Sequence, residues 1–118
     1  MKRILIITGA SRGIGLATAK LFAAEGYAVF NLSRSQPALP GLVHIPTDLA
    51  ALDRTALMTT LEPALRAAGQ VVLVHNAGAI AKDTIGEFDT DEFRRILEIN
   101  VTAPAQLTRW LLPFMPAG

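Results

Sequence analysis

The stretch ITGASRGIG, residues 7–15, runs from an apolar strand through three glycines directly into a helical pattern. Before it stands Ile4–Ile7, a continuous aliphatic run of the kind found in a strand covered on both faces. After it, Gly13–Glu25 places Ile14, Ala17, Leu21 and Ala24 on one helical face, and Gly26 sits where a helix C′ glycine belongs. Gly9, Gly13 and Gly15 have the spacing G-x-x-x-G-x-G. Glycines there allow a tight turn, a close approach of backbone to a diphosphate and close helix-to-strand packing. The free N–H groups and the dipole of the helix start favour a pyrophosphate. A P-loop would need G-K-[ST] at the helix start, and no lysine stands there, so a dinucleotide is favoured over a nucleoside triphosphate.

Downstream, Ala28–Leu32 reads as a second strand, Ser33–Gly41 with Pro37 and Pro40 as loop, and Leu42–Ile45 as a short third strand. A helix over Leu52–Ala67 ends at Gly69, with Pro63 expected to kink or split it. Val71–Val74 is a fourth, wholly aliphatic strand. Asp89 and Glu92 form a capping box for a last helix from Thr90 to Phe114, with Pro104 inside it. Phe93, Ile96, Leu97, Ala103, Leu107 and Leu111 make its apolar face, and Asn100 falls within that face as a buried asparagine. Because Pro104 has no N–H, the Asn100 carbonyl loses its helical partner and is free to hold a water. The order strand, helix, strand, strand, helix, strand, helix implies an α/β fold with a doubly wound parallel sheet and right-handed crossovers.

The length of 118 residues is one domain's worth of chain, without repeats or an internal linker. A net charge of +1 gives no electrostatic reason to expect nucleic acid or an anionic membrane. The absence of cysteine excludes disulfides and thiolate metal sites, and no metal is expected. The apolar run of MKRILIITG stops at Thr8, too short for a secretory signal, and nothing approaches a membrane span. A cytoplasmic location is therefore expected. Hydrophobic residues make up 51% of the chain, which a sheet buried on both faces would explain.

TGASRGIG (8–15), TDL (47–49), HNAG (75–78) and INVTAP (99–104) together give the chain a strong resemblance to the short-chain dehydrogenase/reductase family. The resemblance spans essentially all 118 residues. It implies a Rossmann-like, three-layer α/β/α fold of about four parallel strands, of which this chain would be the N-terminal portion, and a nicotinamide cofactor. It places Gly9, Ser11, Arg12, Ile14 and Gly15 along the phosphates, with Gly13 in the same glycine loop. Asp48 would accept from the adenine amino group with Leu49 beside it, and Asn76, Ala77 and Gly78 would pass along the adenosine ribose. Asn100 would support a water-mediated proton relay. Full-length relatives commonly form dimers or tetramers, so a homo-oligomer is expected.

The choice of cofactor turns on charge. A carboxylate at the end of the second strand would bind the ribose 2′-hydroxyl and repel a 2′-phosphate. Here that end reads NLSRS: Arg34 can fork onto a phosphate, Ser33 can donate a hydrogen bond, and Arg12 can approach from the loop. NADP(H) is thus expected over NAD(H), in hydride transfer to or from a small carbonyl or alcohol substrate.

The family's reaction also needs a serine, a tyrosine and a lysine four residues after the tyrosine. The single tyrosine is Tyr27, and position 31 is Asn31, so the chain as written is expected to be inactive alone. His44 and His75 lack a nucleophile partner and are read as structural. QPALPG replaces the family's helix between the second and third strands, which is expected to open the adenine side. Ala103 replaces a usual glycine. Family strand order would leave VVLV (71–74) as an edge, and Trp110, Leu111, Leu112 and Phe114 would lack a cover. Two readings result: the cofactor-binding part of a reductase truncated before its catalytic segment, or a stand-alone NADP(H)-binding sensor or interaction protein. The bare edge favours the first.

Overall fold

Strand β1 (Lys2–Thr8) lies inside a four-stranded parallel sheet of order β3-β2-β1-β4, where β2 is Ala28–Ser33, β3 is Val43–Pro46 and β4 is Ala68–Val74. The computed structural model describes residues 2–81 and 84–116. The first residue, 82–83 and the C-terminal 117–118 lie outside the described residues. Helix α1 (Gly13–Ala24) joins β1 to β2, and α2 (Arg54–Ala67) joins β3 to β4. The chain thus leaves β1 toward one edge and returns across the sheet to β4, so the direction of winding reverses between β1 and β4. That seam is where open α/β sheets hold ligands.

Strand alternation divides the core into the two faces of a three-layer fold. Ile4 and Ile6 of β1 and Phe30 and Leu32 of β2 pack with Leu57, Leu61 and Leu65 of α2, and with Leu107 and Leu111 of a C-terminal helix. Leu5, Ile7 and Val29 point the other way, onto Ala19 and Phe22 of α1. The loop that replaces a helix between β2 and β3 also contributes to this second face: Leu39 and Leu42 pack against it and Pro37 is buried. The aliphatic run of β1 is therefore covered on both sides, as its composition demands. β4 is an edge strand among the described residues, and Val71–Val74 are only partly buried.

Several expectations change. α1 does not bury Ile14, Ala17, Leu21 and Ala24. Ile14 is 81% and Leu21 69% exposed, and the buried residues are Gly15 and Ala19. The helix packs through its smallest side chains because its first turn is pressed against the glycine loop, which rotates the larger residues outward. Its C-terminus closes as a Schellman motif: Gly26 N–H donates to the Ala23 carbonyl and Tyr27 N–H to the Phe22 carbonyl. The Phe22 and Tyr27 rings meet edge-on at 4.8 Å, supplying the apolar contact of that motif. α2 runs as one helix across Pro63, since its burial of Leu57, Leu61 and Leu65 outweighs one missing backbone bond.

The last helix is broken into segments. α3 (Thr90–Leu97) is capped by Asp89, which accepts from the N–H groups of Asp91 and Glu92 at 2.9 and 3.3 Å. A π-helical turn follows at Glu98–Thr102, then α4 (Ala103–Leu111) and a 3-10 turn at Leu112–Phe114. The extra residue in the π turn shifts the phase of the helix by about 100°. Ile99, Ala103, Leu107 and Leu111 are buried, while Phe93 and Leu97, expected on the same face, are 46% and 45% exposed. The C-terminal apolar residues are largely covered. Leu111 is buried and Trp110 and Phe114 pack on the α2 core, leaving Leu112 exposed.

These burials rank two leucines against the sequence pattern. Leu61→Ala removes a fully buried side chain and is expected to lower stability by about 2–5 kcal/mol. Leu21→Ala, on the exposed face of α1, should change it by less than about 0.5 kcal/mol. Urea unfolding of both variants checks the ranking, and a larger loss for Leu21→Ala would contradict the observed orientation of α1.

Candidate functional site

A cleft of about 580 Å³ opens at the C-terminal ends of the four strands. Its walls come from the strand ends and the residues after them: Gly9 and Ser11–Gly13 after β1, Leu32–Ser35 at the end of β2, Thr47–Leu49 after β3, and Asn76–Ala79 after β4. Arg95 of α3 and Ile99 of the π turn close one side.

The floor is built by hydrogen bonds that join β1 to β4. The buried Thr8 hydroxyl accepts from the N–H groups of Asn76 and Ala77, both at 3.1 Å. The Asn76 amide donates to the Gly9 carbonyl at 3.0 Å, so this side chain holds the loop. Gly15 fits against the same place. A Cβ there would overlap the Gly9 carbonyl and the Asn76 amide and lie 3.0 Å from the Ala10 Cα, so only glycine lets the helix start this close. Gly13 differs: its φ is +60°, and a Cβ there would meet nothing within 4 Å. It faces open cleft, and a side chain would occupy the space above the helix start. No side chain caps α1, and its first turn carries no acid. The N–H groups of that turn are therefore available to an anion.

Of the residues singled out from sequence, Gly9, Ser11, Arg12, Gly13, Ser33, Arg34, Asp48, Leu49, Asn76, Ala77 and Gly78 line this one cleft. Ile14 is exposed and does not line the cleft, and Gly15 is buried beneath the loop. Arg12 and Arg34 make no ion pair among the described residues, whereas Arg95 lies 3.6 Å from Glu92. Asp48 accepts from the Ala50 N–H at 2.9 Å with one carboxylate oxygen. Two unpaired guanidinium groups, Arg12 and Arg34, against one carboxylate, Asp48, make the cleft a site for an anion. Its size suits a dinucleotide, and the open helix start, the unfilled space at Gly13 and the free arginines fit a pyrophosphate-containing cofactor.

Ser33 differs from its sequence reading in one respect. Its hydroxyl is buried, accepts from the Asn31 amide and donates to the Ser35 carbonyl at 2.7 Å, so its proton is committed inside the protein. Asn100 was expected to be buried in an apolar helix face, and it is exposed. Its amide makes a two-point contact with the Ala79 backbone, accepting from the N–H and donating to the carbonyl, each at 2.7 Å. The π turn places it there, since the Ala103 N–H reaches back five residues to the Glu98 carbonyl. Leu32, Ser35, Thr47, Ala79, Arg95 and Ile99 also line the cleft and were not singled out from sequence. The first four flank residues that were, a usable signal; Arg95 and Ile99 arrive from a distant helix.

Neither histidine lines the cleft, and both are held by neighbours. The Thr108 hydroxyl donates to the Pro104 carbonyl, so His75 Nε2, 2.8 Å from that oxygen, must be the donor of their bond. His44 Nδ1 accepts from the Asn31 amide at 3.1 Å, which puts its proton on Nε2. Tyr27 lies at the opposite end of the sheet, its ring against Phe22 and under the Arg3 guanidinium at 4.6 Å.

A Rossmann-like α/β unit with a glycine-loop anion site at its switch point defines a dinucleotide-binding class of protein. The sequence model of the short chain dehydrogenase family matches residues 3–118, and the chain belongs to that family, whose members are oxidoreductases that bind nicotinamide cofactors. It is 29% identical to a 3-oxoacyl-[acyl-carrier-protein] reductase of Thermotoga maritima, across 96% of this chain and 50% of that protein. The structure of a Thermoplasma acidophilum aldohexose dehydrogenase superposes with a TM-score of 0.81 at 30% identity, covering 97% of this chain and 45% of that one. A Leptospira borgpetersenii short chain dehydrogenase with bound NAD+ shares the fold alone, with a TM-score of 0.81 at 18% identity. The chain spans about half the length of these relatives. Among the described residues no group of His, Cys, Asp and Glu is arranged to hold a metal ion, and no helix is long and apolar enough to cross a membrane.

His75 is exposed, and partial desolvation of its ring where it meets Thr108 of α4 lowers its pKa below the usual 6.5. Between 6.5 and that lowered value the unfolded chain binds the extra proton and the folded chain does not. Stability contributed by the neutral ring is therefore lost as pH falls through this window. His75→Asn is expected to flatten the decline in melting temperature below pH 6.5, measured by circular dichroism. An unchanged slope would mean that the ring is not desolvated.

Proposed function

We propose that this chain is the NADP(H)-binding part of a short-chain dehydrogenase that moves hydride between the nicotinamide and a carbonyl or alcohol substrate. The observation that carries the choice of cofactor is the pair Arg12 and Arg34. Both are unpaired among the described residues and line the cleft where β2 ends without a carboxylate. In this reading the α1 start and the loop Gly9–Gly13 hold the pyrophosphate, with Ile14 and Gly15 in the same turn. Asp48 and Leu49 meet the adenine, and Asn76, Ala77 and Gly78 pass along its ribose. Because the Ser33 proton is committed to Ser35, the 2′-phosphate falls to the two arginines.

The bound cofactor supplies the hydride. What this chain contributes is the positioning of its phosphates, the charge that selects NADPH, and a helix whose proline at 104 removes the N–H that would pair with the Asn100 carbonyl. The Asn100 side chain is occupied by Ala79, so a water in a proton relay would sit on that main-chain carbonyl. The substrate, a homo-oligomeric assembly as a dimer or tetramer, and a cytoplasmic location complete the proposal.

Arg34→Ala tests the cofactor assignment. A hydrogen bond to a charged group contributes about 1.5–3 kcal/mol, so the variant should lose about tenfold or more of the preference for NADPH over NADH. Calorimetric titration with both cofactors measures it, and equal affinities in the unaltered chain would overturn the assignment.

Catalysis gives a second test. Protonation of a developing alkoxide needs an acid within hydrogen-bond reach, and the single tyrosine, Tyr27, is packed at the far end of the sheet. The 118-residue chain is therefore expected to bind cofactor without oxidising NADPH in the presence of aldehydes or ketones. Turnover above background that Asn100→Ala abolishes would show that the chemistry resides in this chain.

A further inference from the structure

Asn31 is completely buried in the middle of β2, on the strand face shared with Val29, where an aliphatic residue would pack at lower desolvation cost. It lines no part of the cleft, yet its amide group reaches two parts of the chain that do. Its Oδ1 accepts from the Ala10 N–H at 2.9 Å, and Ala10, also fully buried, lies in the loop between Gly9 and Ser11. Its Nδ2 donates to the Ser33 hydroxyl at 2.8 Å and to His44 Nδ1 on the neighbouring strand at 3.1 Å. The Ser33 hydroxyl passes the chain of bonds on to the Ser35 carbonyl at 2.7 Å. Arg34 sits between these two anchored residues, so the direction of its backbone is set by a relay that begins at Asn31.

We infer that Asn31 is a positioning residue that couples the phosphate-binding loop to the end of the site that selects the ribose 2′-substituent. The inference rests on the NADP(H) reading and deepens it. One arm, to Ala10, holds the loop in the shape that presents its N–H groups. The other, through Ser33 to Ser35, aims Arg34. Each arm uses a different atom of the same planar amide, so a shift that favours one bond moves the other. His44 accepts the remaining amide proton and leaves Asn31 no freedom to turn over. An aliphatic residue at position 31 would strand the Ala10 N–H and release the 33–35 segment together.

The test compares the full chain with Asn31→Leu, Ser33→Ala and the double variant, titrating NADPH and NADH separately and recording melting temperatures. Ser33→Ala should cut only the Arg34 arm, lowering the NADPH-to-NADH affinity ratio by about fivefold, the worth of one neutral hydrogen bond. Asn31→Leu should lower that ratio by the same factor and weaken NADH as well. The double variant should show no lower a ratio than Asn31→Leu alone, because both changes cut one relay. If Asn31→Leu does not fold, Ser33→Ala carries the same test of the ratio. Melting temperatures that fall while the ratio stays constant in every variant would overturn the coupling and leave Asn31 a structural residue. Failure of the cofactor reading itself shows separately, as an unaltered chain that binds neither cofactor or binds both equally.

Discussion

Nothing larger than hydrogen fits between the α carbon of Gly15 and the Gly9 carbonyl with its Asn76 partner. That contact seats the first turn of α1 on the seam between β1 and β4 and aims its N–H groups into the cleft. Much of the second layer follows. A helix pressed this close can bury only small residues, so Gly15 and Ala19 face the sheet and Phe22 packs lower down. Ile14 and Leu21 are left outside. The layer is completed by Leu39, Leu42 and the buried Pro37, which cover sheet surface with loop where a helix is missing.

Polar side chains around the cleft divide into two groups. Thr8, Asn31, Ser33, Asn76 and Asn100 spend their hydrogen bonds on the protein, mostly on backbone groups of the loops after the strands. Arg12 and Arg34 keep theirs free among the described residues. Such a division is physically useful: an anion is held more tightly by dipoles and cations already in place than by groups that must be ordered on binding. The cleft combines rigid walls, whose amides orient the chain, with charged tips that have no internal partner.

The π turn at Glu98–Thr102 solves a separate problem of phase. α4 must bury Ala103, Leu107 and Leu111 against α2 and the sheet, while Asn100 must reach the Ala79 backbone on the cleft side. A regular helix running on to Phe114 would carry Asn100 into the apolar face. One inserted residue lets the same helix serve both ends, with Pro104 placed where a missing N–H does least harm.

Wherever the governing interaction is local, the sequence by itself determined the result. Aliphatic runs with turn residues between them set the strands and their parallel winding, because a strand buried on both faces cannot tolerate polar residues. The glycine loop, the TDL segment and NAG marked most of the cleft wall, because the backbone following each strand has only one side of the sheet to line. Tertiary structure alone decided which face of α1 is buried, that Asn100 is exposed, and that Arg95 and Ile99 join the cleft. It also decided that the Ser33 proton is spent on Ser35 and that Asn31 spans two parts of the site. Helical periodicity says that a face exists but not which neighbour will press on it. Here a steric contact between residues of three different segments, Gly9, Gly15 and Asn76, outweighed the pattern of apolar side chains.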